Sequence, residues 1–251
     1  MKTVLQAVAQ YWKKLDKPLL FAAMLCSALS VVLLYSIYVN HTLSEIDDDD
    51  YIIQLAAVGI GVLSVLVLAA IDYHKIARLW FVYAPIALIL VLLTFTSLGY
   101  RRAGADDQAW LQLGGVTLQP SEILKLAFIL TFSLHLAKDE ENMNRPLHML
   151  LLILHGCVPM GLVFLQGDYG TAVVFAFIFA AMMLIAHISW KYVLAGMIAV
   201  PAALVVAWNF VLGSLHKNRI LVLLHPGTDP EGLEYQQDLG LSALASGKLF
   251  G

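Results

Sequence analysis

Residues 51–71 read YIIQLAAVGIGVLSVLVLAAI, a stretch without a charged side chain. A helix needs about 20 apolar residues to cross the hydrocarbon core of a bilayer. Because an open strand cannot satisfy its backbone polar groups in lipid, this stretch is predicted to be a transmembrane α-helix. Of the 251 residues in the chain, 60% are hydrophobic and 13% are charged, and soluble domains carry about twice that charged share. The chain is therefore predicted to be an integral membrane protein.

Six further apolar blocks predict an all-α fold, a polytopic membrane bundle of about seven transmembrane helices. The seven predicted spans are 19–38, 51–71, 79–98, 118–137, 146–165, 171–188 and 192–212. Pro85, Pro159 and Pro201 fall inside spans and predict kinks, which neighbouring helices can absorb. The predicted organisation is a cytoplasmic N-terminal segment over 1–17, a seven-helix transmembrane domain over 18–212, and an extracytoplasmic loop over 213–251. Within that loop, residues 215–224 and 233–246 predict short interfacial helices.

Charge predicts the orientation, since short cytoplasmic loops carry an excess of Lys and Arg. Nine such residues fall on the side of the N-terminus and five on the other side, which predicts a cytoplasmic N-terminus. The acidic run at 47–50 is predicted to be a solvated outer loop. A net charge of -3 argues against a strongly basic nucleic-acid binder. Cys26 and Cys157 lie in apolar blocks and predict neither a disulfide framework nor a zinc site.

Two polar clusters lie where predicted spans meet the outer side, and ionisable groups near membrane depth are functional candidates because they are costly to place. The first cluster covers 119–125 (QPSEILK). Its Glu122 is favoured by the helix dipole and can pair with Lys125 at i, i+3. A self-neutralised helix start and a polar pocket are equal alternatives here. In the second cluster, 166–171 (QGDYGT), Asp168 either caps the next helix or converges with Glu122 on one external cavity.

The segment after residue 212 offers a third group of polar side chains near the outer side. Basic side chains there can meet lipid phosphates through charge-assisted hydrogen bonds. The candidate phosphate or loop residues are Lys217, Arg219, Asp229, Tyr235 and Gln236. The single histidines His135, His155 and His187, near span ends, are interpreted as helix-contact or interfacial residues rather than as ligands.

Four motifs, in order along the chain, resemble the SEDS family, the RodA/FtsW/SpoVE polymerases of bacterial cell walls. The first is Trp110-Leu111-Gln112-Leu113-Gly114 followed by Gln119-Pro120-Ser121-Glu122 and Lys125. The second, 166–171, looks like the family's Q-P-D-x-G-T element. The third covers 218–236, from Asn218-Arg219 to Tyr235-Gln236, and the fourth, 246–251, resembles S-G-G-L-F-G. The chain departs from the family pattern at Ala109, where the family has arginine, and at Gly167, where it has proline. The stretch from Pro226 to Pro230 lacks a tryptophan associated with division-type members, so a RodA-like member is preferred.

The resemblance implies a ten-helix fold and a peptidoglycan glycosyltransferase that polymerises lipid II at the outer face of the bacterial cytoplasmic membrane. It implies a class B penicillin-binding protein as partner, no organic cofactor, and a divalent cation as a candidate. By the same resemblance, the substrate-cavity residues are Gln119, Ser121, Glu122, Lys125, Gln166 and Asp168.

The family's catalytic aspartate, in an E-x-H-T-D-F element, is expected beyond Gly251, so no catalytic residue is assigned within the chain. A fragment or truncated product, inactive by itself while its full-length parent is active, is therefore expected. The alternatives are a flippase or transporter for a lipid-linked precursor, and a non-catalytic membrane scaffold of the cell-wall machinery.

Overall fold

The computed structural model describes residues 16–40, 50–101, 107–114, 116–225, 232 and 235–247. Its α-helices are α1 (Lys17–Asn40), α2 (Asp50–Ala70), α3 (Tyr73–Arg78), α4 (Trp80–Leu93), α5 (Pro120–Lys138), α6 (Pro146–Leu165), α7 (Tyr169–Ile185), α8 (Trp190–Val206), α9 (Ser214–Leu224) and α10 (Tyr235–Gly247). Residues 1–15 and 41–49, Asp229 and the side chain of Gln236 lie outside the described part, so the predictions made for them stay predictions.

Helices α1, α2, α5, α6 and α8 with its extension are long and apolar enough to cross a membrane, and α4 and α7 are shorter apolar helices. They coincide with the seven predicted spans, and the multi-pass membrane bundle is thereby confirmed. The three prolines that are expected to kink spans, Pro85, Pro159 and Pro201, lie inside α4, α6 and α8.

Helices α1 and α2 present apolar side chains on their surfaces. In the most apolar 18-residue stretch of each helix, no residue is buried by the rest of the protein. A helix that is apolar all round is suited to lipid rather than to water. A 3.1 Å hydrogen bond from Gln54 Nε2 to Ser30 Oγ joins the two helices. Near it, the rings of Tyr38 and Tyr51 lie 5.1 Å apart. Lipid therefore supplies most of the environment of this pair.

The chain divides into two compact units, residues 1–180 and residues 181–251. Aromatic side chains of α5 and α7 form the core of the first unit. The ring of Phe128 lies 5.6 Å from that of Phe175, and the ring of Phe132 lies 5.3 Å from that of Phe179. Gly156 of α6 permits this packing, because a Cβ there would lie only 2.4 Å from the ring of Phe179. The core thus fixes α5, α6 and the first part of α7 against one another.

The third predicted span, 79–98, is too long. Helix α4 ends at Leu93, where the buried Thr94 turns its hydroxyl back to donate to the carbonyl of Val91 at 2.8 Å. The chain then enters strand β1 (Gly99–Tyr100). A Cβ at Gly99 would lie 1.9 Å from the carbonyl oxygen of Thr94, so this close turn requires glycine.

A small antiparallel sheet, which the all-α prediction did not include, connects α4 to α5. Strand β2 (Trp110–Leu113) lies between β1 and β3 (Val116–Leu118). Its register pairs Gly99 with Leu111 and Leu111 with Leu118. Strands of two to four residues are too short for alternation of polar and apolar side chains to be read from sequence. Because β3 takes residue 118, the fourth span begins at Pro120 rather than at Leu118, with proline in its favoured position in the first turn.

In the second unit, α8 continues into a π-helical segment, Ala207–Val211. Within this segment, the side-chain N–H of Asn209 donates a hydrogen bond to the carbonyl oxygen of Val205 at 2.8 Å. Helices α9 and α10 lie where the two short helices were predicted after residue 212, and their interfacial position stays a prediction. Within this unit, Lys217 Nζ lies 6.0 Å from the centre of the Trp208 ring, within the range of a cation–π contact.

Candidate functional site

The first polar cluster forms the beginning of α5. Gln119 is extended and immediately precedes the helix, and its carbonyl accepts from the backbone N–H of Glu122 at 3.2 Å. Lys125 Nζ donates to Glu122 Oε1 at 2.8 Å, which confirms the predicted i, i+3 pair. The Glu122 side chain is 58% exposed and that of Lys125 is 21% exposed. The carboxylate therefore lies near the positive end of the helix dipole, while the lysine is partly enclosed.

Asp168 lies in the tight turn between α6 and α7 and accepts two hydrogen bonds. Gly167 makes the turn with a φ of 85°, a conformation that suits glycine. Asp168 Oδ1 accepts from the backbone N–H of Thr171 at 2.9 Å, which confirms the predicted cap of the next helix. Asp168 Oδ2 accepts from Gln119 Nε2 at 2.8 Å. Asp168 is therefore a helix cap and also the contact that joins the two polar clusters.

Gln166 is 4% exposed and anchors the turn to the segment that follows α4. Its Nε2 donates to Thr94 Oγ1, and its backbone carbonyl accepts from the backbone N–H of Gln108 at 3.0 Å. No sequence pattern indicates Thr94 or Gln108, because their contacts depend on how α4 and α6 pack and not on local spacing. Together these bonds hold the small sheet against the turn that contains Asp168.

Two polar oxygen atoms near these clusters have no hydrogen-bond partner within the described part of the chain. They are the hydroxyl of Ser121, whose residue is 0% exposed, and Oε1 of Gln166. A buried polar group without a partner costs about 1–3 kcal/mol. Stability alone therefore does not account for a serine at position 121, which is consistent with its selection as a site candidate.

A separate cavity of about 300 Å³ lies between α4, α5 and α6. Its wall is mostly apolar, with Thr131 and His155 as the polar exceptions. It is lined by Trp80, Ala84, Leu88, Leu124, Ala127, Phe128, Thr131, His155, Val158 and Pro159. None of the six predicted substrate-cavity residues lines this cavity. The structure brings Gln119 and Asp168 into contact, but it does not place the six residues around the cavity.

In the second unit, Arg219 and Tyr235 are exposed, on α9 and at the start of α10. Among the residues that the structure describes, no group of three or more His, Cys, Asp or Glu side chains is arranged to hold a metal ion. The histidines His135 and His155 contact each other across α5 and α6, which confirms their interpretation as helix-contact residues.

The sequence profile of the FtsW/RodA/SpoVE family, described as cell cycle proteins, matches residues 16–251. The chain belongs to the FtsW/RodA/SpoVE family. The profile covers both polar clusters and the segment after residue 212. Membership agrees with the multi-pass membrane fold described above.

Curated relatives of this FtsW/RodA/SpoVE chain include proteins named FtsW, MrdB and stage V sporulation protein E. A probable peptidoglycan glycosyltransferase FtsW of Borreliella burgdorferi is 32% identical over 187 residues, 74% of this chain and 50% of the relative. The peptidoglycan glycosyltransferase MrdB of Escherichia coli K12 is 28% identical over 201 residues, 79% of this chain and 52% of the relative. Stage V sporulation protein E of Bacillus subtilis is 27% identical over 257 residues, 94% of this chain. The chain spans about half the length of the first two relatives.

Two solved structures share the fold of this FtsW/RodA/SpoVE chain. A chain from a study of polymerisation and crosslinking by a peptidoglycan synthase complex aligns with a TM-score of 0.67 and 26% identity, over 92% of this chain and 66% of that one. The rod shape determining protein RodA of Thermus thermophilus aligns with a TM-score of 0.51 and 25% identity, over 70% of this chain and 58% of that one.

Proposed function

We propose that the protein is a peptidoglycan glycosyltransferase that polymerises lipid II into glycan strands. The single observation that carries the proposal is the hydrogen bond from Gln119 to Asp168, which joins the two polar clusters at one end of the helix bundle. Named relatives are peptidoglycan glycosyltransferases, and this end of the bundle carries the residues in which the chain resembles them.

The ion pair of Glu122 and Lys125 gives this end a chemistry suited to a pyrophosphate-linked sugar. Lys125 can donate charge-assisted hydrogen bonds to phosphate oxygens and can stabilise negative charge that develops on a leaving pyrophosphate. Glu122 holds the lysine in place at 2.8 Å and releases it when a phosphate competes for the ammonium group. We assign these residues to substrate binding and assign the catalytic base to none of the described residues.

The proposal includes no organic cofactor. It also includes no metal site built from the residues of this chain alone. The described residues supply no cluster of three potential metal ligands. Magnesium is commonly held by one or two carboxylates together with substrate phosphates. If a divalent cation took part, the exposed carboxylate of Glu122 together with the lipid pyrophosphate would hold it, and the cation would neutralise charge on the leaving pyrophosphate.

We also propose that the N-terminus is cytoplasmic and that the Gln119 end of α5 faces outward. The unequal numbers of Lys and Arg in the loops support this orientation. In the bacterial cytoplasmic membrane, lipid II would then be met at the outer face. The likeness to a chain of a peptidoglycan synthase complex supports a class B penicillin-binding protein as partner, and the RodA-like preference supports a role in elongation.

The direct test is polymerisation of purified lipid II by the detergent-solubilised full-length gene product, expressed with that partner. Glycan strands separated by electrophoresis are the expected product, because no transport is possible in detergent and a flippase or scaffold would make none. Glu122→Gln is expected to lower the rate at least about tenfold, a loss of about 1.4 kcal/mol in transition-state stabilisation. The matched control, Glu141→Gln, changes an exposed acid near the opposite end of α5 and is expected to keep the rate. Wild-type protein that makes no strands while the partner is folded would refute the proposal.

A further inference from the structure

A chain of polar side chains lies in α5 and α6 at the end opposite Gln119, and the proposed function does not use it. Thr131, His135 and Asp139 follow one another at intervals of four residues, so they share one face of α5 and its cap. The segment from Asp139 to Thr131 rises about 12 Å along the helix axis. Ionisable side chains inside a membrane span are functional candidates because they are expensive to place there.

Four distances define this polar chain. His155 Nε2 lies 3.1 Å from Thr131 Oγ1, and His155 Nδ1 lies 3.0 Å from His135 Nδ1. His135 Nε2 lies 3.6 Å from Asp139 Oδ2, a distance that supports attraction between charges but not a hydrogen bond. The same Oδ2 is 2.8 Å from His148 Nδ1. Because Thr131 and His155 line the cavity, the polar chain extends from the turn between α5 and α6 to the cavity wall.

The contact between His135 and His155 limits how many protons the two rings can hold. A hydrogen bond between two Nδ1 atoms requires one N–H and one lone pair. Two imidazolium rings would direct N–H against N–H at 3.0 Å, which breaks the contact. While the contact lasts, the four ring nitrogens therefore carry two protons in the neutral pair and three after one proton is added from water.

Asp139 sets the direction of the hydrogen bonds in the neutral pair. Its carboxylate favours an N–H at His135 Nε2, because a lone pair directed at an anion is repelled. His135 Nδ1 then accepts from His155 Nδ1, and His155 Nε2 accepts from the hydroxyl of Thr131. Every hydrogen in this arrangement points from Thr131 toward Asp139.

The added proton reverses the direction of the two hydrogen bonds that His155 makes. His135 then carries hydrogens on both nitrogens and donates from Nδ1 to Nδ1 of His155. His155 stays neutral, holds its own hydrogen on Nε2 and donates it to Thr131 Oγ1. The hydroxyl of Thr131 then turns to the carbonyl of Ala127, which lies 2.9 Å away.

We propose that His135 and His155 form a one-proton binding site whose charge resides on His135 and whose occupancy is transmitted to the cavity as a tautomer change of His155. Burial favours this distribution of charge. His155 lies among the rings of Phe128 and Phe132 at 6.0 and 5.4 Å, whereas His135 faces the carboxylate of Asp139.

Other charged groups lie around the site. Lys138 is on α5 beside Asp139, and His148 is on α6 and shares the same carboxylate oxygen. Helix α3, which also contacts α5, carries His74, Lys75 and Arg78. The nearby cations oppose the added proton, so the carboxylate of Asp139 is the group that makes uptake favourable.

Nitrogen-15 NMR of histidine-labelled protein in lipid nanodiscs tests the proposal without depending on glycan synthesis. As the pH is lowered, the proton that the pair takes up is expected to give an imidazolium signal from His135 alone. At the same midpoint, His155 is expected to stay neutral and to change from the Nδ1–H to the Nε2–H tautomer. The variants His135→Gln and His155→Gln assign the signals. A His155 ring that keeps one tautomer throughout, or two rings with separate midpoints, would overturn the proposal.

A second measurement uses two carboxylates that are adjacent in the chain. Asp139→Asn is expected to leave His155 with a mixture of its two tautomers in the neutral pair, because an amide can accept from or donate to His135 Nε2 and no longer sets the direction of the hydrogen bonds. Glu140→Gln removes an exposed neighbouring acid and is expected to keep the Nδ1–H tautomer of His155. Equal mixtures in both variants would assign the effect to the general charge of the turn and would contradict a specific site.

Discussion

Gln119 Nε2 donates to Asp168 Oδ2 at 2.8 Å, a hydrogen bond between side chains 49 residues apart in sequence. The other oxygen of the same carboxylate caps α7 through the backbone N–H of Thr171. One side chain thus connects the start of α5 with the start of α7. Its charge and its hydrogen-bonding capacity can be separated by substitution.

Asp168→Ala removes both hydrogen bonds and is expected to destabilise the protein by about 1 kcal/mol, the usual loss for a helix cap. Asp168→Asn keeps an acceptor for Thr171 and can still bond to Gln119, whose side-chain amide can turn to present its oxygen. Reversible unfolding in mixed micelles measures the difference. A loss in the asparagine variant as large as that in the alanine variant would show that charge, and not the cap, is what stabilises this turn.

Glu122→Gln is expected to change the free energy of unfolding by less than about 1 kcal/mol, because exposed ion pairs contribute little to stability. Glu122 is the more exposed partner of the pair. Unfolding in micelles, measured beside the polymerisation assay, separates a binding role from a structural one. A large loss of stability in this variant would assign any fall in activity to misfolding.

Gly156→Ala is expected to destabilise the first unit by about 1–3 kcal/mol, the range for overpacking of a core. The new methyl group would meet the ring of Phe179 at 2.4 Å. Gly161→Ala, in the same helix and with nothing within 4 Å of the new Cβ, is the control. It is expected to stabilise the helix by up to about 1 kcal/mol through helix propensity. Thermal unfolding that gave both variants the same midpoint would contradict the packing described for Gly156.

The hydrogen bond between His148 and Asp139 holds the pKa of Asp139 below its usual value. A carboxyl with a lowered folded pKa contributes stability above its unfolded pKa, about 4, and loses that contribution as the pH falls through the folded value. His148→Gln is therefore expected to raise the pKa of Asp139 and to reduce the dependence of stability on acid pH. Carbon-13 NMR of labelled aspartate side chains measures the shift.

His74→Gln is the matched control for that experiment. His74 makes the same kind of contact with Asp72, whose pKa is lowered chiefly by this hydrogen bond. The substitution is expected to raise the pKa of Asp72 and to leave that of Asp139 unchanged. A change at Asp139 in this control would mean that the effect is not local.

Local spacing was enough to predict much of the site. The pair of Glu122 and Lys125 follows from the helix period, and the cap made by Asp168 follows from its place before an apolar run. The convergence of Asp168 with Glu122 on one external cavity was the alternative hypothesis and stays a prediction. The structure shows Asp168 in contact with Gln119 while it also caps α7. The contact from Gln166 to Thr94 and the pairing of His135 with His155 were not predicted. They depend on which faces of distant helices meet, and no periodicity in a single segment carries that information.

The difference between local patterns and contacts between distant segments also explains which parts of the fold were predicted. Long apolar runs determine transmembrane helices because lipid permits few alternatives, so the seven spans were located to within a few residues at most ends. The end of α4 was misplaced because residues 94–98 (TFTSL) carry no charge, while Thr94 closes the helix with its own hydroxyl. The sheet was missed because its strands are held by pairing with one another rather than by their own composition.

The anchoring of Gln166 has a mechanical consequence. Because Gln166 is bonded to Thr94 and to Gln108 and lies two residues before Asp168, a displacement of the small sheet would pull on the turn that positions Asp168. The sheet and the turn are therefore mechanically coupled: a shift of the sheet would change the distance between Asp168 and Gln119, although neither residue lies in a strand.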